Sequence, residues 1–270
     1  MIEHSRGPID YEETGAGPAL VLVPGSCSTG AAWRPVIAAL GDGFRCVTTS
    51  LPGYGKTAER RTRDDASITH VAEVVETVIA RAGGPVHLVG HSFGGLVGLA
   101  VALRRKAPLA SLTIVEAPAV EFLRDRGEAL HYETFRRMTQ AYFAALEDGN
   151  KEAIAAMIDF YGGAGTFASW PPRVRAYAVE TTPGNVLDWA SAYGFPLAAV
   201  AVASVTVPAL VMTGTQSHPA ARRANELLAE TLPASAFEIL EGAAHFMIAT
   251  HAGEVARLIA EHVRRVEGRA

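Results

Sequence analysis

The chain has 270 residues, of which 49% are apolar and 19% charged, and its formal net charge is −4. That composition excludes a disordered chain, and the acidic balance argues against nucleic acid as a partner, because gripping a phosphate backbone needs a basic face. Two cysteines, Cys27 and Cys46, are too few for a disulfide framework and fit a reducing, cytoplasmic setting.

In chain order, the first segments, Ile2–Ser5 and Ile9–Glu13, carry polar residues and fit an exposed antiparallel edge. No basic start followed by an apolar stretch precedes them, so no signal peptide is expected. Ala19–Val23 and Phe44–Thr49 are short apolar runs that read as strands, with a helical pattern over Ala31–Leu40 between them. A helix over Ile68–Arg81, a strand over Val86–Val89, a helix over Leu96–Arg105 and a strand over Leu112–Val115 follow. After a long interval come the strands Ala209–Met212 and Phe237–Leu240 and the helices Ala220–Thr231 and Glu254–Val266. Apolar runs without polar alternation indicate strands buried on both faces, hence a parallel sheet between two helix layers. The expected fold class is therefore α/β, a three-layer α/β/α sandwich with an eight-stranded, mostly parallel sheet.

The interval from residue 119 to 206 breaks the rhythm. It holds helical patterns at Glu121–Leu146, Lys151–Tyr161, Val174–Thr181 and Val186–Ala203, and most of the chain's aromatic residues. We read it as a helical cap inserted into a core made of residues 1–118 and 207–270, although amphipathic helices bury aromatics in any case. The most apolar run, Leu197 to Met212, is interrupted by Ser204, Thr206 and Pro208. A membrane helix wants about 18 or more unbroken apolar residues, so no membrane association is expected.

The strongest local signal is Gly90-His91-Ser92-Phe93-Gly94, a Gly-x-Ser-x-Gly directly after an apolar strand and before a helix. Such a serine sits on a strained strand-to-helix turn that pushes its hydroxyl into the cleft, and Gly90 and Gly94 give the turn room. The helix that follows points its N-terminus at the site, which favours developing negative charge. The plain alternative is a glycine-rich turn with an idle serine.

With this motif the chain resembles the α/β-hydrolase superfamily over nearly its whole length. Val21-Leu22-Val23-Pro24-Gly25-Ser26 with Trp33 looks like the strand and oxyanion loop that usually reads His-Gly. Leu51-Pro52-Gly53-Tyr54-Gly55-Lys56-Thr57 resembles the family's Pro-Gly-x-Gly-x-Ser loop, and Gly242-Ala243-Ala244-His245-Phe246 the loop that presents the histidine. The resemblance implies that Ser92 is the nucleophile, that His245 is its general base, and that the backbone N–H groups of Ser26 and Phe93 form the oxyanion hole. The chemistry agrees: a serine hydroxyl needs a neighbouring base, and an imidazole titrates near working pH. Pro24 replaces the family's usual histidine without removing either donor. Cys27 reads more simply as a small buried residue than as a reactive thiol.

The acid departs from the pattern. The family usually places an aspartate after the penultimate strand, where this chain reads Gly214-Thr215-Gln216-Ser217-His218. Some members, certain haloalkane dehalogenases among them, place the acid one strand earlier, and here that strand ends in Glu116. Glu116 is thus the candidate for orienting His245, with Glu241 behind it, and bracing of the cap by Glu116 is the plain alternative. His91 neighbours Ser92 but should point to the other face of the strand, and the role of His218 stays open. No pair of histidines has metal-ligand company, and Gly55-Lys56-Thr57 lacks the first glycine of a phosphate loop, so neither a metal nor a cofactor is expected.

The expected activity is a serine hydrolase cleaving a small or medium carboxylic ester held under the cap through a Ser-His-acid triad and an acyl-enzyme. Serine at position 92 speaks against dehalogenase and epoxide hydrolase chemistry, since those relatives use aspartate there. Two alternatives stand beside it. One is carbon–carbon bond, lactone or amide hydrolysis on the same triad, because Gly25-Ser26 with Gly30 and Trp33 faintly resembles ring-cleavage product hydrolases. The other is a ligand-binding member that no longer turns over. A monomer and a homodimer are both compatible with the sequence.

Overall fold

Alternate residues of the run Ala19–Val23 belong to different cores: Leu20 and Leu22 pack on one side, Val21 and Val23 on the other. All five positions are buried, which explains why an unbroken apolar run forms a strand here. The computed structural model describes residues 1–4 and 7–268. Its strands are β1 (Glu12–Thr14), β2 (Ala19–Val23), β3 (Arg45–Thr48), β4 (Val86–His91), β5 (Leu109–Val115), β6 (Ala209–Gly214) and β7 (Ser235–Leu240). They form one sheet in the order β1-β3-β2-β4-β5-β6-β7, in which only β1 runs antiparallel.

The eight strands expected from sequence are seven among the described residues. Ile2 and Ile9 make a single antiparallel bridge instead of a ladder, and Ser5 lies outside the described residues. The physical reason is the Gly7-Pro8 pair between them. Gly7 closes a turn by donating its N–H to the His4 carbonyl at 2.8 Å, and Pro8 has no N–H for a ladder. The three residues of β1 are exposed.

Helices α1 (Arg34–Leu40), α2 (Ile68–Ala82) and α3 (Phe93–Arg104) lie in the first half of the chain. Between β5 and β6 come α4 (Val120–Asp125), α5 (Ala129–Glu147), α6 (Ile154–Gly162), α7 (Thr166–Ser169), α8 (Pro172–Glu180), α9 (Thr182–Tyr193) and α10 (Ala199–Val202). The chain closes with α11 (Pro219–Thr231), α12 (Met247–Thr250) and α13 (Ala252–Val266). α2, α3 and α11 cover one face of the sheet, and α1 and α13 the other. Among the described residues no strand interrupts the segment between β5 and β6. The helix expected over Glu121–Leu146 is broken by Gly127, whose φ of 76° leaves the helical region. The helix expected over Val186–Ala203 ends at Tyr193, ahead of Pro196, which has no N–H to continue it. No helix among the described residues is long and apolar enough to cross a membrane.

Candidate active site

In a parallel sheet the loops at the carboxyl ends of the strands share one edge, and a cleft there collects side chains from distant parts of the chain. Here that edge carries the residues after β2, β4, β5, β6 and β7.

Ser92 follows β4 and precedes the first residue of α3, and its φ of 53° and ψ of −127° lie outside the regions that side chains favour. Its N–H donates to the Val115 carbonyl at 2.8 Å, which ties the turn to β5. The elbow is too tight for a side chain at either glycine. A Cβ on Gly90 would lie 2.2 Å from the Gly94 carbonyl oxygen, and one on Gly94 would lie 2.4 Å from the Pro24 oxygen.

His245 reaches this serine from the loop between β7 and α12. Its Nε2 is 2.9 Å from Ser92 Oγ, and its Nδ1 is 2.9 Å from Glu116 Oε1. These partners assign the tautomer, with the proton on Nδ1 facing the carboxylate and Nε2 free to accept from the serine. Glu116 is the residue after β5. It is fully buried, its φ is 50°, and its N–H donates to the Met212 carbonyl at 3.0 Å. Ser217 does not replace the acid; its hydroxyl donates to Glu116 Oε2 and accepts the Gly214 N–H at 3.0 Å. The three residues singled out from the sequence therefore meet in one hydrogen-bonded chain, which is the geometry that passes a proton from a serine to an imidazole held by a carboxylate. Glu241 stands apart from it and accepts from the Thr215 hydroxyl at 3.4 Å.

Two histidines support the neighbourhood. His91 Nε2 is 2.8 Å from the His245 carbonyl oxygen and donates to it, fixing the loop behind the catalytic-type imidazole. Burial lowers its pKa to about 3, with the nearby His245 adding to the fall, so the ring is neutral. His218 caps the N-terminus of α11, where its Nδ1 accepts the Ala220 N–H at 3.2 Å, and its ring stacks on Phe160 at 3.9 Å. Tyr161, from α6, stacks on His245 with ring centroids 4.0 Å apart, and its buried hydroxyl has no partner.

Ser26 follows β2, and Gly25 before it lies against the elbow, where an added Cβ would come within 2.8 Å of Ser92 Cβ. Ser26 and Phe93 line the same cavity as Ser92. The Ser26 hydroxyl donates to Asp188 Oδ2 of α9 at 2.6 Å. Tyr54 donates to the same oxygen at 2.6 Å, and the Arg61 guanidinium lies 2.8 Å from Oδ1. Burial pushes the Asp188 carboxyl up, while Arg61 and the two hydroxyl donors pull it down. Sequence reading missed Asp188, which no local motif marks, and gave His91 no part in the site. Burial raises the Cys27 thiol to about 12, so it stays protonated beside this loop.

Ser92 and His245 open into a cavity of about 430 Å³. Its walls are mainly Met157, Ile158, Trp170, Trp189 and Phe246, and among the described residues no lysine or arginine lines it. A pocket of that size and polarity suits a small, uncharged ligand, because a buried unpaired charge is costly.

Comparison with known proteins places this chain in a family. The model of the alpha/beta hydrolase family matches residues 20–258. A protein of Variovorax paradoxus (strain S110) described as a carbamate hydrolase, RutD, is 36% identical over 113 residues, which cover 41% of this chain and 42% of that protein. The pimeloyl-[acyl-carrier protein] methyl ester esterase of Vibrio atlanticus (strain LGP32) is 35% identical over 109 residues, 40% of each chain. The matched stretch thus spans about two fifths of each curated relative. A thermophilic esterase from Thermogutta terrifontis has the same fold, with a TM-score of 0.73 and 24% identity over 96% of this chain and 93% of that one.

Proposed function

Because the chain belongs to the alpha/beta hydrolase family, we propose that it is a serine hydrolase that cleaves a small or medium, uncharged carboxylic ester. The observation that carries this reading is the continuous contact from Ser92 Oγ through His245 to Glu116. In this reading residues 119–206 act as a cap over the core of residues 1–118 and 207–270.

Ser92 Oγ attacks the ester carbonyl carbon as His245 Nε2 takes the hydroxyl proton. The carbonyl oxygen becomes an oxyanion held by the N–H groups of Ser26 and Phe93. The carbon–oxygen bond to the alcohol breaks, and His245 returns the proton to the leaving oxygen. A water then repeats the sequence on the acyl-enzyme and frees the acid and Ser92. Throughout, Glu116 stabilises the imidazolium, and Ser217 supports the second carboxylate oxygen. Supporting the substrate class are the apolar cavity walls and the absence of basic side chains among its described lining residues. The descriptions of the similar proteins as esterases and as a carbamate hydrolase support a hydrolase reading.

The test is labelling by a fluorophosphonate probe together with turnover of a 4-nitrophenyl ester series of rising acyl length. Wild type should label at Ser92 and show burst kinetics, and Ser92→Ala should do neither. A well-folded wild type that neither labels nor hydrolyses any ester would sink the proposal and favour a ligand-binding role.

A further inference from the structure

The Asp188 carboxylate sits in the segment between β5 and β6, yet it binds the oxyanion loop on the other side of the cleft. Asp188 is 2% exposed and belongs to α9. Its Oδ2 accepts from Ser26 Oγ and from Tyr54 Oη, each at 2.6 Å, and its Oδ1 faces Arg61 at 2.8 Å. Arg61 is itself buried and clamped by Glu59 at 2.7 Å. The loop that this carboxylate holds has no regular structure of its own. It runs from the end of β2 through Gly25 and Ser26 to Cys27, whose φ of 55° is unfavourable for a residue with a side chain. A loop with such a conformation persists only when its surroundings fix it, and the Ser26 side chain supplies one fixed point two bonds from the Ser26 backbone.

We propose that Asp188 is a positioning residue for the reaction: through the Ser26 hydroxyl it holds the Ser26 N–H aimed at the oxyanion, so that the inserted helices complete the catalytic site. This inference rests on the serine hydrolase reading. It adds that the oxyanion hole is shared between the sheet and the inserted helices. Asp188 touches no reacting atom. Its effect falls on the transition state, because the Ser26 N–H is needed when charge develops on the oxygen and contributes little to ground-state binding.

A purely structural role is the rival, since Asp188 also ties Tyr54 and Arg61 to α9. Ser26→Ala separates the two. It removes the hydroxyl and keeps both the Ser26 N–H and the contacts of Asp188 with Tyr54 and Arg61. The experiment is a double-mutant cycle of Ser26→Ala and Asp188→Asn on a 4-nitrophenyl ester that wild type hydrolyses, with affinity for phenylboronic acid, a mimic of the tetrahedral adduct, measured beside it. We expect each single variant to lower kcat by about tenfold to a hundredfold with KM nearly unchanged, in the range set by a misplaced oxyanion donor. Boronate affinity should fall in parallel, and the double variant should be no worse than the poorer single one. Ser26→Ala at wild-type kcat, or losses that multiply in the double variant, would overturn the inference even if Asp188→Asn is unstable. A wild type without ester turnover or fluorophosphonate labelling would overturn the underlying hydrolase reading and this inference with it.

Discussion

Ser217 and Glu116 are 101 residues apart in sequence and share a hydrogen bond at the ends of neighbouring strands. The serine occupies the loop where an aspartate was sought, and it donates to the carboxylate that stands one strand earlier. One oxygen of Glu116 is thereby held by Ser217 and the other faces His245. A two-point hold fixes the plane of a carboxylate more firmly than a single contact.

Replacing Glu116 with glutamine should lower kcat by about a thousandfold to ten-thousandfold, since an amide neither stabilises the imidazolium nor enforces the tautomer. Ser217→Ala leaves the charge in place and should lower kcat by only about tenfold, the loss belonging to orientation alone. Steady-state kinetics on one ester for both variants checks the ranking.

The hydroxyl of Tyr161 is buried without a partner while its ring stacks on His245. Removing an unsatisfied buried hydroxyl relieves its desolvation cost, so Tyr161→Phe should raise unfolding free energy by about 1 kcal/mol. Tyr161→Ala removes the ring as well and should destabilise by about 3 kcal/mol. Urea unfolding of the three proteins measures both.

Acid should weaken the fold through His91. Its folded pKa of about 3 lies below the value of 6.5 expected for an exposed histidine, so below pH 6.5 the unfolded chain binds a proton that the folded chain refuses. The contribution of His91 is complete above pH 6.5 and is lost progressively as pH falls towards 3, with a slope of about 1.4 kcal/mol per pH unit. His262, lowered by burial to about 4, adds to the same window. In His91→Gln the curve of unfolding free energy against pH should be shallower between pH 6 and 4 by that slope; an unchanged curve would contradict the assignment.

Gly90→Ala should misfold or lose its activity outright. The added methyl would stand 2.2 Å from the Gly94 carbonyl oxygen, a backbone atom with nowhere to retreat. Overpacking of this kind costs about 1–3 kcal/mol or more. Thermal melting and soluble yield beside the wild type read the effect.

The parts that sequence made legible are those whose cause is local. Ala19–Val23 reads as a strand because every residue is apolar, and burial on both faces is why it must be. Gly90 to Gly94 reads as an elbow because the motif and its tightest contact, Gly90 against the Gly94 carbonyl, lie within five residues of each other. Glu116 could be named because the family resemblance offers an acid one strand earlier, and a strand's end places its next residue at the cleft. Asp188 could not, because its link to Ser26 spans 162 residues and depends on how α9 packs over α2 and α3. His91 was set aside by strand alternation, a rule that fixes direction and says nothing of which loop passes there. The eighth strand failed at Gly7-Pro8, where two polar, flexible-looking segments gave no sign that only one bridge would form.

The Arg61–Asp188 pair also holds one wall of the cavity in place. Helix α9 is pinned to the segment between β3 and α2 at a buried ion pair, whereas Pro171, Val174, Ala249 and Thr250, on other cavity walls, are exposed. In the proposed reading the inserted helices are therefore held along their α9 edge, and the cavity wall between α8 and α12 is the side that faces solvent. A long ester would thread in from that side with its far end left in water, and chain-length preference would be set at the threshold of the chamber more than at its back wall.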